Sequence, residues 1–517
     1  MKQIEKCFIA LCIFLLPFFS FGESNLATLL FGYLKNDLNL QKYTLTAESK
    51  LLEYDSTKIE NGISLTLSTG TVKIQTSSDG TKYTFTPSAS LEIPELHDTT
   101  VSVSLPMVSK TGYSIDSENG TFLDDGSVKV STGIVTSAPL KRKVSLLEAE
   151  RAYIEAERAV QDQALTVENE FYENLKSLYS YVTDVLEKKN DLYDDEVDLK
   201  VLAAQGYSKT SSSYRSKYLE CQSDRRNVHE AERKLEREIA LFAMKCGVEY
   251  DRAFDTTSLD LEKSEEAGDM ALKNAMDFLP SEIPAVELED VLSYERDDYT
   301  TIESAVWSQY ISDLKRKTDY TLEVGAYAGY TFNESSSTYD TVDGGLTFDW
   351  RGISASAGVS IPTGNNVLPL ESSSSGIASK SPVYTFAVSI SPNTWRLASI
   401  DKKQDALNAQ IDEIAVKSAA DDYETDIVDK LTSRGDLAWS EKSYAEEYDM
   451  YSKLEFDMDA WLKQGIVTES DYLDAANNRD KARINMLITA VEKIIYNNEV
   501  KLLFVRDTAE KGAEHEN

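Results

Sequence analysis

The chain has 517 residues and a formal net charge of −35 at pH 7, with 88 Asp and Glu against 53 Lys and Arg. A polymer this acidic is repelled by nucleic acid and by an anionic membrane surface. Only His97, His229 and His515 can supply imidazole. No metal-ligand cluster or Ser/His/Asp set stands out, and GYSKTS at 206–211 lacks the upstream glycine of a phosphate loop. The sequence therefore points away from an enzyme and implies no cofactor and no nucleic-acid partner.

Residues 1–22 read as an export signal: Lys2 and Lys6 precede an apolar run from Phe8 to Phe21, and Ser20-Phe21-Gly22 supplies small residues at a cleavage site. Neither Cys7 nor Cys12 follows the run, where a lipid-bearing cysteine belongs. With Lys2, Lys6 and Glu5 removed, 51 basic residues face 87 acidic ones, a net charge of −36.

Residues 25–55 carry Leu26, Leu29, Leu30, Tyr33 and Leu34 at helical spacing. From Gly62 the period changes to two. Ile63, Leu65 and Leu67, then Val72 and Ile74, Tyr83 and Phe85, Val101 and Val103, and Val128 and Val130 predict strands over about 62–135. Helical spacing returns at about 140 and lasts to 246. Its seam runs through Ala164, Val167, Phe171, Leu175, Leu178, Val182 and Val185, close to a heptad repeat. A break at Gly206 interrupts it. Cys221 and Cys246 lie 25 residues apart in one predicted helix, roughly 37 Å, so a disulfide between them is excluded. Residues 247–291 are acidic, less periodic and carry Pro280 and Pro284; they read as a connector.

The pattern then repeats. A helix from Leu292 to Lys317 leads to strands over about 320–391, where Tyr320, Leu322, Val324, Ala326, Ala328, Tyr330 and Phe332 share one face. Leu346, Phe348 and Trp350 follow, the phase flips after Gly352, and Tyr384, Phe386, Val388 and Ile390 close the set. Helical sequence resumes at about 398, breaks at Gly465 and continues to 505. The tail 506–517 is polar. Residues 23–246 and 292–505 are thus one unit written twice, helix–strands–helix–break–helix. LAAQG at 202–206 matches WLKQG at 461–465, an offset of 259 residues. On that offset Ser211 falls on Ser470 and Ala231 on Ala490.

After the second break, Asp471 and Asp474 lie six and nine residues beyond Gly465, one helical turn apart. Taken alone they read as an acidic first turn answering the helix dipole. The strands suit either a membrane β-wall or a soluble sheet with one buried face. In a membrane their open edges would need other copies to close them.

The signal, the duplication and the stretch Gly465-Ile-Val-Thr-Glu-Ser-Asp471-Tyr-Leu-Asp474-Ala475 resemble the TolC-type outer-membrane efflux channels over about 25–505. The resemblance implies an α+β membrane protein: a homotrimer whose transmembrane β-barrel takes four strands from each chain and continues as a long periplasmic α-helical barrel. It implies periplasmic tip turns at Gly206 and Gly465, a pore constriction of Asp471 and Asp474, and Tyr320, Tyr330, Phe332, Trp350 and Tyr384 as aromatics at the membrane interface. Implied partners are a periplasmic adaptor, an inner-membrane transporter and outer-membrane lipid, and the implied role is a passive exit duct. The family's tyrosine three residues before the second glycine and arginine two after it are replaced by Leu462 and Val467. Its first-repeat aspartate position is Ser212. These departures keep open a coiled-coil scaffold that retains the architecture without transport.

Overall fold

A computed structural model describes residues 25–78, 80–112, 120–123, 126–254, 262–319, 322–332, 340–350, 353–363 and 381–506. The export signal, Tyr320 and the end of the tail from 507 lie outside the described residues. Arg506, the first residue of the polar tail, is ion-paired with Asp162.

The helices are α1 (Asn25–Asn36), α2 (Leu38–Glu60), α3 (Ala138–Ala204), α4 (Ser212–Cys246), α5 (Glu262–Phe278), α6 (Thr300–Asp319), α7 (Pro392–Lys463) and α8 (Glu469–Leu503). Both predicted breaks are present, after α3 and after α7. Cys221 and Cys246 sit in α4, buried and unbridged. One helix was not foreseen: α5 lies inside the stretch read as an irregular connector. It is a 17-residue amphipathic helix whose buried residues include Ala271 and Ala275; the acidic run at its start and Pro280 and Pro284 beyond it outweigh that period in the sequence.

The chain divides into two compact units, and α2, α3 and α7 run from one into the other. The first gathers residues up to 45, 157–300 and from 421 onward. Its core is the predicted α3 seam, with Val167, Phe171, Leu175 and Val185 fully buried against Leu29 of α1, Leu235 and Ile239 of α4 and Val491 of α8. The segment between α5 and α6 crosses this body as a belt. The Tyr179 hydroxyl donates to the Pro280 carbonyl at 2.6 Å. Asn497 of α8 accepts from Glu289 N at 2.8 Å and donates to the Glu287 carbonyl at 2.8 Å.

The second unit spans 46–156 and 301–420 and holds the strands. β1 (Ser64–Ser68), β4 (Ser88–Ile93), β5 (Thr99–Ser104), β8 (Gly126–Val135), β9 (Glu323–Phe332), β10 (Asp340–Trp350), β11 (Ile353–Thr363) and β12 (Val383–Ile390) form one eight-stranded sheet in the order β1-β4-β5-β8-β9-β10-β11-β12. Every adjacent pair is antiparallel. Each repeat contributes four strands, so the sheet carries eight where the resemblance implied four per chain. β2 (Lys73–Ser77), β3 (Gly80–Phe85), β6 (Met107–Gly112) and β7 (Gly120–Leu123) form a separate four-stranded sheet. It takes up part of the strand stretch predicted over about 62–135.

Because the strands alternate in direction, α2, α3, α6 and α7 all join the larger sheet at one end, and the inserted sheet leaves it at the other. At the helix end α3 and α6 pack through Val144, Ile311 and Leu314. Arg151 binds Glu303 in a two-pronged pair and lies over the Trp307 ring, 5.3 Å from its centroid.

Candidate functional site at the helical tips

The two tips are built by one local device. Gly206 (φ +86°) and Gly465 (φ +72°) hold left-handed conformations, which cost a residue with a Cβ roughly 1–2 kcal/mol. An added Cβ at either would meet nothing within 4 Å, so the backbone alone requires glycine. Around each, the following amide reaches back five residues: Tyr207 N to the Leu202 carbonyl at 3.1 Å, and Ile466 N to the Trp461 carbonyl at 2.9 Å. These are Schellman closures, and the 259-residue offset holds for every partner.

Past the glycines the repeats diverge. α4 starts at N-cap Ser211, which accepts from Tyr214 N, whereas α8 starts at N-cap Thr468, which accepts from Asp471 N. Aligned on their caps the offset is 257, so the second turn is two residues shorter. Tyr214 then corresponds to Asp471 and Lys217 to Asp474. Counted from the glycines Asp471 corresponds to Ser212; counted from the caps it corresponds to Tyr214.

Asp471 closes a capping box. Its Oδ2 accepts from Thr468 N at 2.9 Å and from the Thr468 hydroxyl at 2.6 Å. Those bonds, the hydroxyl's first, hold its carboxyl below the usual carboxylate range. Asp474 is half-buried and engaged with α3: the Asn190 side-chain amide donates to its Oδ1 at 2.6 Å, and the Asn190 oxygen accepts from Asn477 at 2.6 Å. On either side Ser470 donates to Asp194 and Lys481 pairs with Glu187 at 3.0 Å. α3 and α8 are thus laced antiparallel from Ser470 to Lys481, about three turns of α8.

Sequence reasoning missed this α3 strip. Its signal was the acidic run DLYDDEVD at 191–198. In the first hairpin Lys217 sits between Asp195 (2.7 Å) and Asp198 (2.9 Å), and Arg225 pairs with Glu196 at 2.7 Å. Asp224 beside them has its carboxyl raised by burial and by neighbouring Asp195. The second hairpin is tied by Arg479 to Glu455 and by Lys493 to Glu441 at 2.8 Å.

At the sheet, a single face is apolar across all eight strands. In register order it runs Leu65, Leu91, Val101, Val130, Ala328, Gly344, Val359 and Tyr384. The opposite face is Ser-, Thr- and Gly-rich, as at Thr66, Ser90, Ser102, Lys129, Gly329, Asp343, Ser360 and Val383. The apolar face is uncovered by the described chain: Phe386 is 78% exposed and Val388 68%. Of the predicted interface aromatics, Tyr330, Trp350 and Tyr384 stand exposed on this face. Phe332 lies over Gly126, where an added Cβ would meet its ring at 2.0 Å. Tyr330 and Tyr384 sit towards the end away from the helices and Trp350 at the helix end. Eight residues separate Trp350 from Val342, the partner of Tyr330, roughly 26 Å along the strand.

Two family models match: the TP096X N-terminal domain over residues 29–283 and the TP096X C-terminal domain over 284–507. The chain belongs to the TP096X family. The boundary between its two domains falls in the belt, between Ile283 and Pro284. No curated protein matches this TP096X chain. Among solved structures, the open-state outer-membrane channel MtrE of Neisseria gonorrhoeae is similar at 12% identity and a TM-score of 0.47, over 92% of this chain and 88% of that one. The outer-membrane protein VceC of Vibrio cholerae matches at 10% identity and 0.43, over 92% and 94%. The Campylobacter jejuni outer-membrane channel CmeC matches at 10% identity and 0.43, over 93% and 87%. Among the described residues no helix is long and apolar enough to cross a membrane.

Proposed function

We propose that this TP096X protein is a passive outer-membrane exit duct. It works as a homotrimer that joins a periplasmic adaptor and an inner-membrane transporter to the exterior, and it performs no chemistry. The observation that carries the reading is the uncovered apolar face of the eight-stranded sheet, backed by a face of small polar residues. A soluble sheet buries its apolar face under helices or a second sheet; a membrane wall presents it to lipid and keeps the polar face for a lumen. The spacing of Trp350 from Tyr330 suits an apolar band of about 25 Å between aromatic girdles.

The long helices then form the periplasmic part, with Gly206 and Gly465 at its turns. Asp471, exposed and held ionised by Thr468, is repeated by symmetry around the axis. Asp474 stands one turn further along α8. Rings of like charge attract cations, so these residues form an acidic constriction. Without a tyrosine at 462 or an arginine at 467, closure relies on the α3–α8 lacing through Asn190, Asp194 and Glu187.

The test is conductance in planar bilayers, with native mass of detergent-extracted protein as its control. A trimer whose Asp471→Ala/Asp474→Ala variant conducts more and loses cation preference supports the duct. A trimer with unchanged conductance and selectivity removes the constriction, and a water-soluble monomer removes the duct. The second reading, a coiled-coil scaffold, draws support from the engagement of Asp474 with Asn190 inside one chain, and it predicts that last outcome.

A further inference from the structure

Lys129 of β8 is the only lysine or arginine in the eight strands of the larger sheet. It stands exposed on the face of small polar residues. The register sets it in a row that runs Ser102, Lys129, Gly329, Asp343 and Ser360. Lys129 and Asp343 therefore share a face two strands apart, roughly 10 Å between Cα atoms, and only a glycine lies between them. A Cβ added at Gly329 would fall 3.3 Å from Lys129 Cγ, so the lysine stem leans over the glycine towards Asp343. The other carboxylates of that face, Glu92, Glu323 and Asp349, lie outside this row, nearer the helices.

The two charges do not meet. Lys129 has no hydrogen bond or ion pair among the described residues. Asp343 accepts at Oδ2, from the hydroxyls of Thr341 at 3.2 Å and Thr331 at 3.4 Å, which leaves Oδ1 for another donor. A cation and an anion are thus held on one wall with a gap between them.

The next row towards the helices adds an aromatic platform. Tyr327 is 38% exposed and lies across β10: Cβ atoms added at Gly345 and Gly358 would each fall 2.7 Å from its hydroxyl. A side chain at either position would lift the ring off the wall. Laid flat, the ring offers a face on which another ring can stack. It stands two residues from Gly329 along β9, about 7 Å, which is within the length of one aromatic amino acid.

We propose that Lys129, Asp343 and Tyr327 form a docking site on the lumen wall for a small aromatic zwitterion. The ligand's carboxylate accepts from the Lys129 ammonium, its own ammonium donates to Asp343, and its ring stacks on Tyr327. Glycine at 329, 345 and 358 keeps the site shallow, so it holds cargo briefly and leaves the passage open. The inference rests on the duct reading, which makes this face the lumen, and it names a class of molecule that the duct favours.

Saturation-transfer NMR on detergent-extracted full-length protein tests it with three probes that share a ring. Phenylalanine carries both charges, phenylacetate only the carboxylate, and phenethylamine only the ammonium. Phenylalanine should bind about tenfold tighter than either analogue, the worth of one added charge-assisted hydrogen bond. Lys129→Gln should bring phenylalanine down to the level of phenethylamine, and Asp343→Asn to that of phenylacetate. Tyr327→Leu should weaken all three alike. Equal binding of the three probes, binding of none, or phenylalanine binding that survives Lys129→Gln overturns the inference; in a trimer that conducts, each of these leaves the duct standing. A water-soluble monomer defeats the duct and this inference together.

Discussion

Asn190 and Asp474 are 284 residues apart in sequence and share a 2.6 Å hydrogen bond between α3 and α8. Through it the acidic turn of the second hairpin is held to the first. A bond to a charged acceptor is worth about 1.5–3 kcal/mol when shielded, and this one is half-buried. Asn190→Ala should therefore destabilise the tip by about 1–2 kcal/mol. Asn190→Asp, which sets like charges together, should cost more. Limited proteolysis at the α7–α8 turn measures the order: wild type slowest, Asn190→Asp fastest.

Gly206 and Gly465 yield a paired prediction. Each Gly→Ala substitution should lower stability by roughly 1–2 kcal/mol through left-handed strain alone. Gly→Asn should cost less, since asparagine tolerates that region. Chemical denaturation of the four variants checks this; equal effects of Ala and Asn would mean that space and not backbone governs the turn.

The capping box makes one carboxylate sensitive to acid. Asp471 has a folded pKa below its unfolded value, so its contribution is present above the unfolded pKa, about 3.9. It is lost as pH falls through the still lower folded value. The difference in melting temperature between wild type and Asp471→Asn should stay constant from pH 7 to about pH 5 and shrink below that. A difference that grew on acidification would contradict the assigned bonds.

The β4–β5 turn stores strain of another kind. His97 and Asp98 both have positive φ, 53° and 56°, and Thr99 N returns to the Leu96 carbonyl at 3.1 Å, so the five-residue loop between Ile93 and Thr99 holds two successive left-handed residues, a conformation that favours Gly or Asn. Asp98 is held there by its ion pair with Arg142 of α3. Asp98→Ala loses the pair and keeps the strain. Asp98→Gly loses the pair but sheds the strain, and should be more stable than Asp98→Ala by roughly 1 kcal/mol in thermal melts.

Much of this was legible in the sequence, and the residues explain why. The α3 seam and the strand alternation leave periodic marks, and the Gln-Gly pairs fixed the 259-residue offset because left-handed turns demand glycine. What stayed hidden depends on long-range pairing. Nothing in Asn190 itself announces Asp474, and the two-residue shift between caps is invisible until Ser211 and Thr468 are seen closing their helices. The count of eight strands in the larger sheet needed the register, since β1, β4 and β5 alternate no differently from β2, β3 and β6. α5 escaped because its short apolar face sits between an acidic run and two prolines, Pro280 and Pro284.

The central claim, that the apolar face of the sheet meets lipid, is tested most directly along β10. Single cysteines at Leu346, Thr347, Phe348 and Asp349, in chains lacking Cys221 and Cys246, are exposed in intact outer membranes to a polar, membrane-impermeant maleimide. Thr347→Cys and Asp349→Cys should label through the lumen, whereas Leu346→Cys and Phe348→Cys should remain protected until detergent is added. Labelling at all four positions without detergent would contradict a membrane-facing sheet.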